Sequence, residues 1–261
     1  MNSKKSVYAK YGIEFKNGKI KSPIGYIPEF LKEGNTKTGK TVFTFSLLPG
    51  TKEITIDTNN GTITTKGSCI CNCSGCYAQT GFYKMKSVVA SLAINTFLVN
   101  TDLTFVEKAI TAQLETLNDC TEVRIHASGD FNVSNKLGYA TMWHNIAEQF
   151  PGKLFWTYTK VARFESLFDD LSNANIVRSV LPEKLGFNFG TCEYIINAYY
   201  TLKSLDIPVY ICKCGFDENQ HCAGCKVCSK FKYVLFLEHS TKYNPFTDPL
   251  FEKLKAIVNN Q

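Results

Sequence analysis

The sequence predicts an α/β protein: a partial (β/α)6 barrel of parallel strands, with an N-terminal β extension over residues 1–60 and a Cys-rich insertion after the fifth strand. Three observations predict it. From residue 61 onward, apolar runs of strand length alternate with helical periodicities, the pattern of parallel strands joined by right-handed crossovers. Most of the eleven cysteines fall into two groups, Cys69, Cys71, Cys73 and Cys76, then Cys212, Cys214, Cys222, Cys225 and Cys228. Both groups sit at the carboxyl ends of predicted strands, where parallel α/β folds build their sites.

The elements follow in order. "TVFTFSLL" (Thr41 to Leu48) and "KEITIDT" (Lys52 to Thr58) read as β pieces of the extension, and "NNG" at Asn59 to Gly61 as a hairpin turn. "TITTKG", opening at Thr62, is taken as the first barrel strand. Helices are predicted over "SVVASLAINTFLV" (Ser87 to Val99) and from Thr104, where "TFVE" has the form of a capping box. "EVRIHASGD" (Glu122 to Asp130) is the second strand, followed by a helix with Tyr139, Met142, Ile146 and Phe150 on one face, stopped by Pro151. Strands three to six open at Lys153, Ala174, Ile207 and Lys232. Between them lie a short helix "RFESLFDDL" (Arg163 to Leu171) and a longer one over Thr191 to Asp206, and "DPLFEKLKAIV" closes the chain as a helix that Asp248 caps.

Composition bounds the class. With 44% hydrophobic and 20% charged residues, the 261-residue chain has an ordinary globular make-up. No apolar run approaches the roughly 18 residues of a membrane span, and the N-terminus lacks the apolar stretch of a signal peptide. The expectation is a cytoplasmic protein with no membrane contact. Thiols stay reduced in that compartment, so the cysteine count points to metal or catalysis rather than to a disulfide framework. The net charge of +6 would suit nucleic acid as a partner, but the lysines are scattered.

Cys69, Cys73 and Cys76 form a C-x3-C-x2-C pattern, and three thiolates so spaced can each take one iron of a 4Fe-4S cluster, leaving the fourth iron open. Cys71 is read as the non-ligand, because ligands two apart compete for one small cluster. In the insertion, spanning 212–228, Cys214, Cys222, Cys225 and Cys228 read as ligands of a second 4Fe-4S cluster or of zinc, with Cys212 able to replace Cys214. His221 lies among them. Cys120 and Cys192 read as small buried hydrophobes. His126 reads as a satisfied histidine of the core or just behind a site rather than a ligand, while Tyr158, Lys160 and Arg178 near strand ends are candidate contacts to a cofactor or substrate. Glu238 and His239 end the last strand and would either hold substrate or be solvated.

The C-x3-C-x2-C loop and the "ASGD" turn (Ala127 to Asp130) resemble the radical S-adenosylmethionine enzymes. That resemblance implies S-adenosylmethionine chelated by the open iron and cleaved reductively to a 5'-deoxyadenosyl radical. It also implies a flavodoxin- or ferredoxin-type electron donor, and an undefined substrate such as a nucleotide, nucleic acid or peptide. Ser128, Gly129 and Asp130 would receive the cofactor's amino group, and Tyr77 is the aromatic nearest the adenine position, with Gly75 just before the third cysteine. The alternative is a non-catalytic zinc or iron-sulfur protein that binds nucleic acid. "CYA" (Cys76 to Ala78), "RIHASGDF" (Arg124 to Phe131), "FWTYTK" (Phe155 to Lys160) and the C-x7-C-x2-C-x2-C run from Cys214 more closely resemble an uncharacterised phage and plasmid gene-product family.

Overall fold

The computed structural model describes residues 3–35, 38–58, 60–73, 76–216, 222–238 and 243–261. It is a mixed α/β fold around a five-stranded sheet. β1 (Val42–Thr44), β2 (Glu122–Ile125), β3 (Leu154–Thr159) and β4 (Ala174–Arg178) run parallel in the order β4-β3-β2-β1, and Lys32–Glu33 adds an antiparallel edge to β1. A second sheet carries β5 (Val209–Ile211) and β6 (Tyr233–Leu237) in parallel, with Phe189–Gly190 on the far side of β6. The sheets are stitched together by Arg178 N–H donating to the Lys232 carbonyl (2.8 Å), Asn188 N–H to Ser179 (3.0 Å) and Phe236 N–H to Asn188 (2.8 Å).

Five longer helices connect and close these strands: α1 (Lys86–Thr101), α2 (Leu103–Thr116), α3 (Lys136–Gln149), α4 (Cys192–Ser204) and α5 (Phe251–Asn259). The start of α2 differs from the capping-box expectation. Asp102 is its N-cap, its carboxylate accepting from Phe105 N–H at 3.0 Å, which satisfies an amide that the helix itself leaves free. Thr191 does the same for α4, accepting from Tyr194 N–H, and the Asp248 carboxylate accepts from Leu250 N–H just ahead of α5.

Strand periodicity decides what each face buries. Val123, Ile125, Phe155 and Ile176 project to one side and join Ile110, Leu114, Trp143 and Ile146 of α2 and α3 in one core. Tyr8, Ile20, Ile27 and Phe30 from the first residues of the chain share that core. Leu235, Leu237 and Ile211 form a second core with Ile195 and Leu202 of α4 and Leu254 and Val258 of α5. Each such side chain contributes about 1.5–3 kcal/mol by leaving water. The opposite face of β2 and β3 therefore presents Glu122, Arg124, Trp156 and Tyr158, the polar and aromatic half of the alternation.

Two sequence expectations need correction. "TITTKG" is not a strand of the parallel sheet: Gly61–Lys66 pairs antiparallel with Glu53–Thr58 in a separate two-stranded hairpin. Along it only Ile63 and Thr65 are buried, whereas a central parallel strand is covered on both faces and reads as continuously apolar. "TVFTFSLL" has that character and supplies β1, which Phe45 and Leu47 extend by donating to the Arg124 and Ser128 carbonyls. "RFESLFDDL" is not a helix but a short turn at Ala162–Phe164 followed by further turns. Asn59 of the expected "NNG" turn lies outside the described residues, as do His221 and His239. No single described helix is long and apolar enough to cross a membrane.

Candidate functional site: two thiol clusters on the parallel sheet

The first cysteine group leaves the hairpin rather than a barrel strand, yet it returns to the carboxyl end of β1. Ser68 N–H and Oγ both donate to the Leu48 carbonyl (2.9 and 3.0 Å), and Cys69 N–H donates to Gly50 (3.0 Å). The loop after β2 meets it there: Asp130 N–H donates to Ser68 Oγ (3.1 Å), and Asn132 Nδ2 donates to the Cys69 carbonyl (2.9 Å). Gly129 makes this junction feasible. Its φ is +86°, and a Cβ there would stand 2.5 Å from Ser68 Oγ and 2.7 Å from Leu47 Cβ.

"ASGD" is thereby turned inward. Ser128 Oγ donates to the Leu47 carbonyl (2.8 Å). Asp130, 4% exposed, accepts from Thr159 Oγ1 (2.6 Å), Lys160 N–H (2.9 Å) and Phe131 N–H (2.8 Å). Burial raises its carboxyl above the usual range, against the pull of those donors. His126 beside it sits at φ +60°, its ring 3.1 Å from Thr157 Oγ1 and 2.8 Å from Tyr139 Oη. Burial, aided by the Arg124 charge, pushes its pKa down to about 3, so it is a neutral core histidine, as the sequence reading had it.

Beyond Cys69 the chain is pinned by Asn72, whose side chain donates to Thr51 Oγ1 (2.8 Å) and accepts from Thr51 N–H (3.0 Å). The residues flanking Asn72 point the same way, and Cys71 Sγ lies 3.4 Å from Cys73 Sγ. Burial first, then that hydrogen bond, raises the Cys71 thiol, and Lys160 lowers it in part. Cys69 is pushed up to about 12 by burial.

The second group lies on the polar face of β2 and β3. Glu122, Trp156 and Val234 from the strands, and Cys212, Cys214, Cys222, Cys225 and Cys228 from the insertion, line one pocket. The segment is anchored by Asn175 Nδ2, which donates to the Cys228 and Phe231 carbonyls (both 2.9 Å), and by a 3.2 Å contact between Tyr158 Oη and Cys228 Sγ. Arg124 lies over the rings of Trp156 and Tyr158, 5.3 and 5.2 Å from their centroids. The neighbouring Cys212 thiol is the main cause raising Cys214 to about 12, and Cys214 in turn is the main cause raising Cys222. Burial pushes Cys228 up to about 12 and raises Cys225.

These arrangements overturn the metal and cofactor readings. Among the described residues, no group of three or more His, Cys, Asp or Glu side chains is placed to hold a metal ion. A 4Fe-4S cluster at Cys69, Cys73 and Cys76, and a second cluster or zinc at Cys214, Cys222, Cys225 and Cys228, would need sulfurs converging on one centre. Here Cys71 and Cys73 instead hydrogen-bond directly to one another. Without the open iron, the expected binding and cleavage of S-adenosylmethionine, the radical-enzyme assignment and its electron donor lose their basis. So does the alternative of a zinc or iron-sulfur binding protein.

The remaining predicted contacts disperse. Lys160 Nζ sits 5.6 Å from the Phe187 ring centroid, near the first thiol loop, whereas Tyr158 belongs to the second pocket. Arg178 turns away from both, paired with Glu165 (3.2 Å) and donating to Tyr233 Oη (2.7 Å). Tyr77 opens a short turn at Tyr77–Gln79, its side chain outside the described set, and Glu238 is half-buried with its N–H donating to Gly190. Cys120 and Cys192 are buried, as expected. Glu122 and Arg124 were missed, although "EVRI" alternates charge with Val and Ile and so signals a strand with one polar face.

Comparison with known proteins defines the class. Residues 29–184, more than half of the chain, match the family described as Gene product 88. The chain belongs to that phage and plasmid gene-product family, which upholds the resemblance carried by "CYA", "RIHASGDF" and "FWTYTK". No curated protein and no solved structure matches it.

Proposed function

We propose that the protein is a dithiol redox protein, exchanging the Cys71 and Cys73 thiols with a disulfide substrate. The observation that carries this reading is the 3.4 Å approach of the two sulfurs on a loop pinned on both sides. Cys73 Sγ attacks the substrate disulfide and forms a mixed disulfide, releasing one substrate thiolate. Cys71 then attacks Cys73 Sγ, releasing the second substrate thiolate and closing the Cys71–Cys73 disulfide. Two electrons pass to the substrate, and the two protons of the cysteine thiols end on its sulfurs. Lys160, whose charge acts on Cys71, favours the thiolate that the second step needs.

The reading fits an open-barrel arrangement of the six parallel strands, with the thiol loop beyond their carboxyl ends where such folds place substrates. It fits a cytoplasmic setting, in which the pair is returned to the dithiol form. Oxidation by glutathione disulfide, followed by alkylation and mass analysis of the tryptic peptide Gly67–Lys84, tests it. The expected product has Cys71 joined to Cys73 and Cys69 and Cys76 alkylated. A Cys71→Ser variant should accumulate the mixed disulfide at Cys73, and alkylation of all four cysteines at full oxidant would sink the reading.

A further inference from the structure

Three large apolar side chains that the fold leaves in water belong to the first thiol loop and the turns after it: Ile70 (48% exposed), Phe82 (68%) and Met85 (51%). Ile70 stands directly between Cys69 and Cys71. The turns fold back onto the loop rather than trailing away from it. Cys76 N–H donates to the Cys73 carbonyl (3.3 Å), Gln79 N–H to Cys76 (3.0 Å) and Met85 N–H to Phe82 (3.1 Å). Asn72, the residue between the paired cysteines, meets Gln79 over Gly50, where a Cβ would stand 2.8 Å from both Asn72 Oδ1 and Gln79 Nε2. On the Lys160 side, exposed Val180 and Phe187 are paired across two short strands, and Lys160 Nζ lies 5.6 Å from the Phe187 ring. Apolar side chains gathered beside a thiol pair mark a place where a partner docks, because they stabilise a complex by leaving water.

The segment that carries the pair also has charge of one sign. Residues 58–101 hold Lys66, Lys84 and Lys86 and no Asp or Glu, and Lys84 and Lys86 are exposed on either side of Met85. The carboxylate that adjoins the loop, Asp130, is buried with three donors on it. We propose that the disulfide substrate of Cys71 and Cys73 is a protein whose cystine lies in an exposed segment of apolar and acidic residues. This rests on the dithiol reading and adds the class of substrate to it. Ile70, Phe82 and Met85 cover the apolar side chains beside the cystine, and Lys84 and Lys86 face its carboxylates. The substrate disulfide gains two electrons and two protons and leaves as a dithiol; Cys71 and Cys73 lose them and are joined. A small-molecule disulfide reaches the same sulfurs without covering the apolar rim.

The test measures the rate at which the reduced full chain opens the cystine of synthetic peptides. One peptide has leucine and glutamate beside the cystine, a second has lysine in place of glutamate, and a third has serine in place of leucine. Glutathione disulfide is the small-molecule reference. The leucine and glutamate peptide should react about tenfold or more faster than either of the others, through KM, the size of effect that burial of one large apolar side chain supplies. Phe82→Ser should lower its rate about tenfold relative to the rate with glutathione disulfide. Lys84→Glu/Lys86→Glu should reverse the preference between the glutamate and lysine peptides, and added salt should flatten the preference of the wild type. Equal rates with the peptides, while glutathione disulfide still oxidises the pair, overturn this inference alone. No exchange with any peptide or with glutathione disulfide overturns the dithiol reading and this inference with it.

Discussion

His126 should make the protein acid-labile in a defined window. In the unfolded chain it titrates near 6.5, whereas in the fold burial holds its pKa down to about 3. Between those values the unfolded state binds the extra proton, so stability is fully present above about pH 6.5 and is lost as pH falls toward 3. The slope is about 1.4 kcal/mol per pH unit, giving a loss of about 2 kcal/mol at pH 5. Asp130 acts with the opposite sign, because its raised carboxyl contributes stability that is lost as pH rises through its folded value. Comparison with a variant cancels that shared part. His126→Asn suits the test, since Asn tolerates the positive φ of this position. It gives up contacts to Thr157 and Tyr139, so the variant is less stable at pH 7. Urea unfolding from pH 7.5 to 5 should nevertheless show a shallower decline for the variant, by about 2 kcal/mol over the range. Parallel stability curves would refute the assignment of His126 as a neutral buried base.

Other outcomes follow from the same geometry. Gly129→Ala forces a Cβ against Ser68 and Leu47 at a φ suited to glycine, and should cost about 1–3 kcal/mol or more in chemical unfolding. Glu122→Gln removes a buried carboxyl whose ionisation burial disfavours. The wild type loses stability as pH rises through that raised value, so the variant should gain relative stability toward pH 8 and none at pH 4. Trp156→Phe deprives Glu122 of its remaining donor and should cost about 1–3 kcal/mol in thermal or urea unfolding.

Much of the fold was legible because parallel strands and helices write different periods. β3 and α1 fall within a residue or two of their expected bounds. β1 was misplaced because three β runs preceded the cysteines, and only burial on both faces, not strand propensity, separates "TVFTFSLL" from "TITTKG". The site was legible as a pair of cysteine groups but not as chemistry. Spacing states which thiols are near in sequence. Whether they converge on one centre depends on side-chain directions fixed by distant contacts, such as Asn72 with Thr51 and Cys228 with Tyr158. Cys71, set aside by spacing as the odd residue, is the partner of Cys73 for that reason.

The central claim is that Cys71 and Cys73 cycle between dithiol and disulfide. Its most direct measurement is a redox titration of the full chain in glutathione buffers, with the oxidation state of each cysteine between Gly67 and Lys84 read by differential alkylation and mass spectrometry. The expected result is a single two-electron transition in which Cys71 and Cys73 lose alkylation together while Cys69 and Cys76 keep it. Loss of alkylation at Cys69 or Cys76 first, or no transition at Cys71 and Cys73 over the whole range, would contradict it.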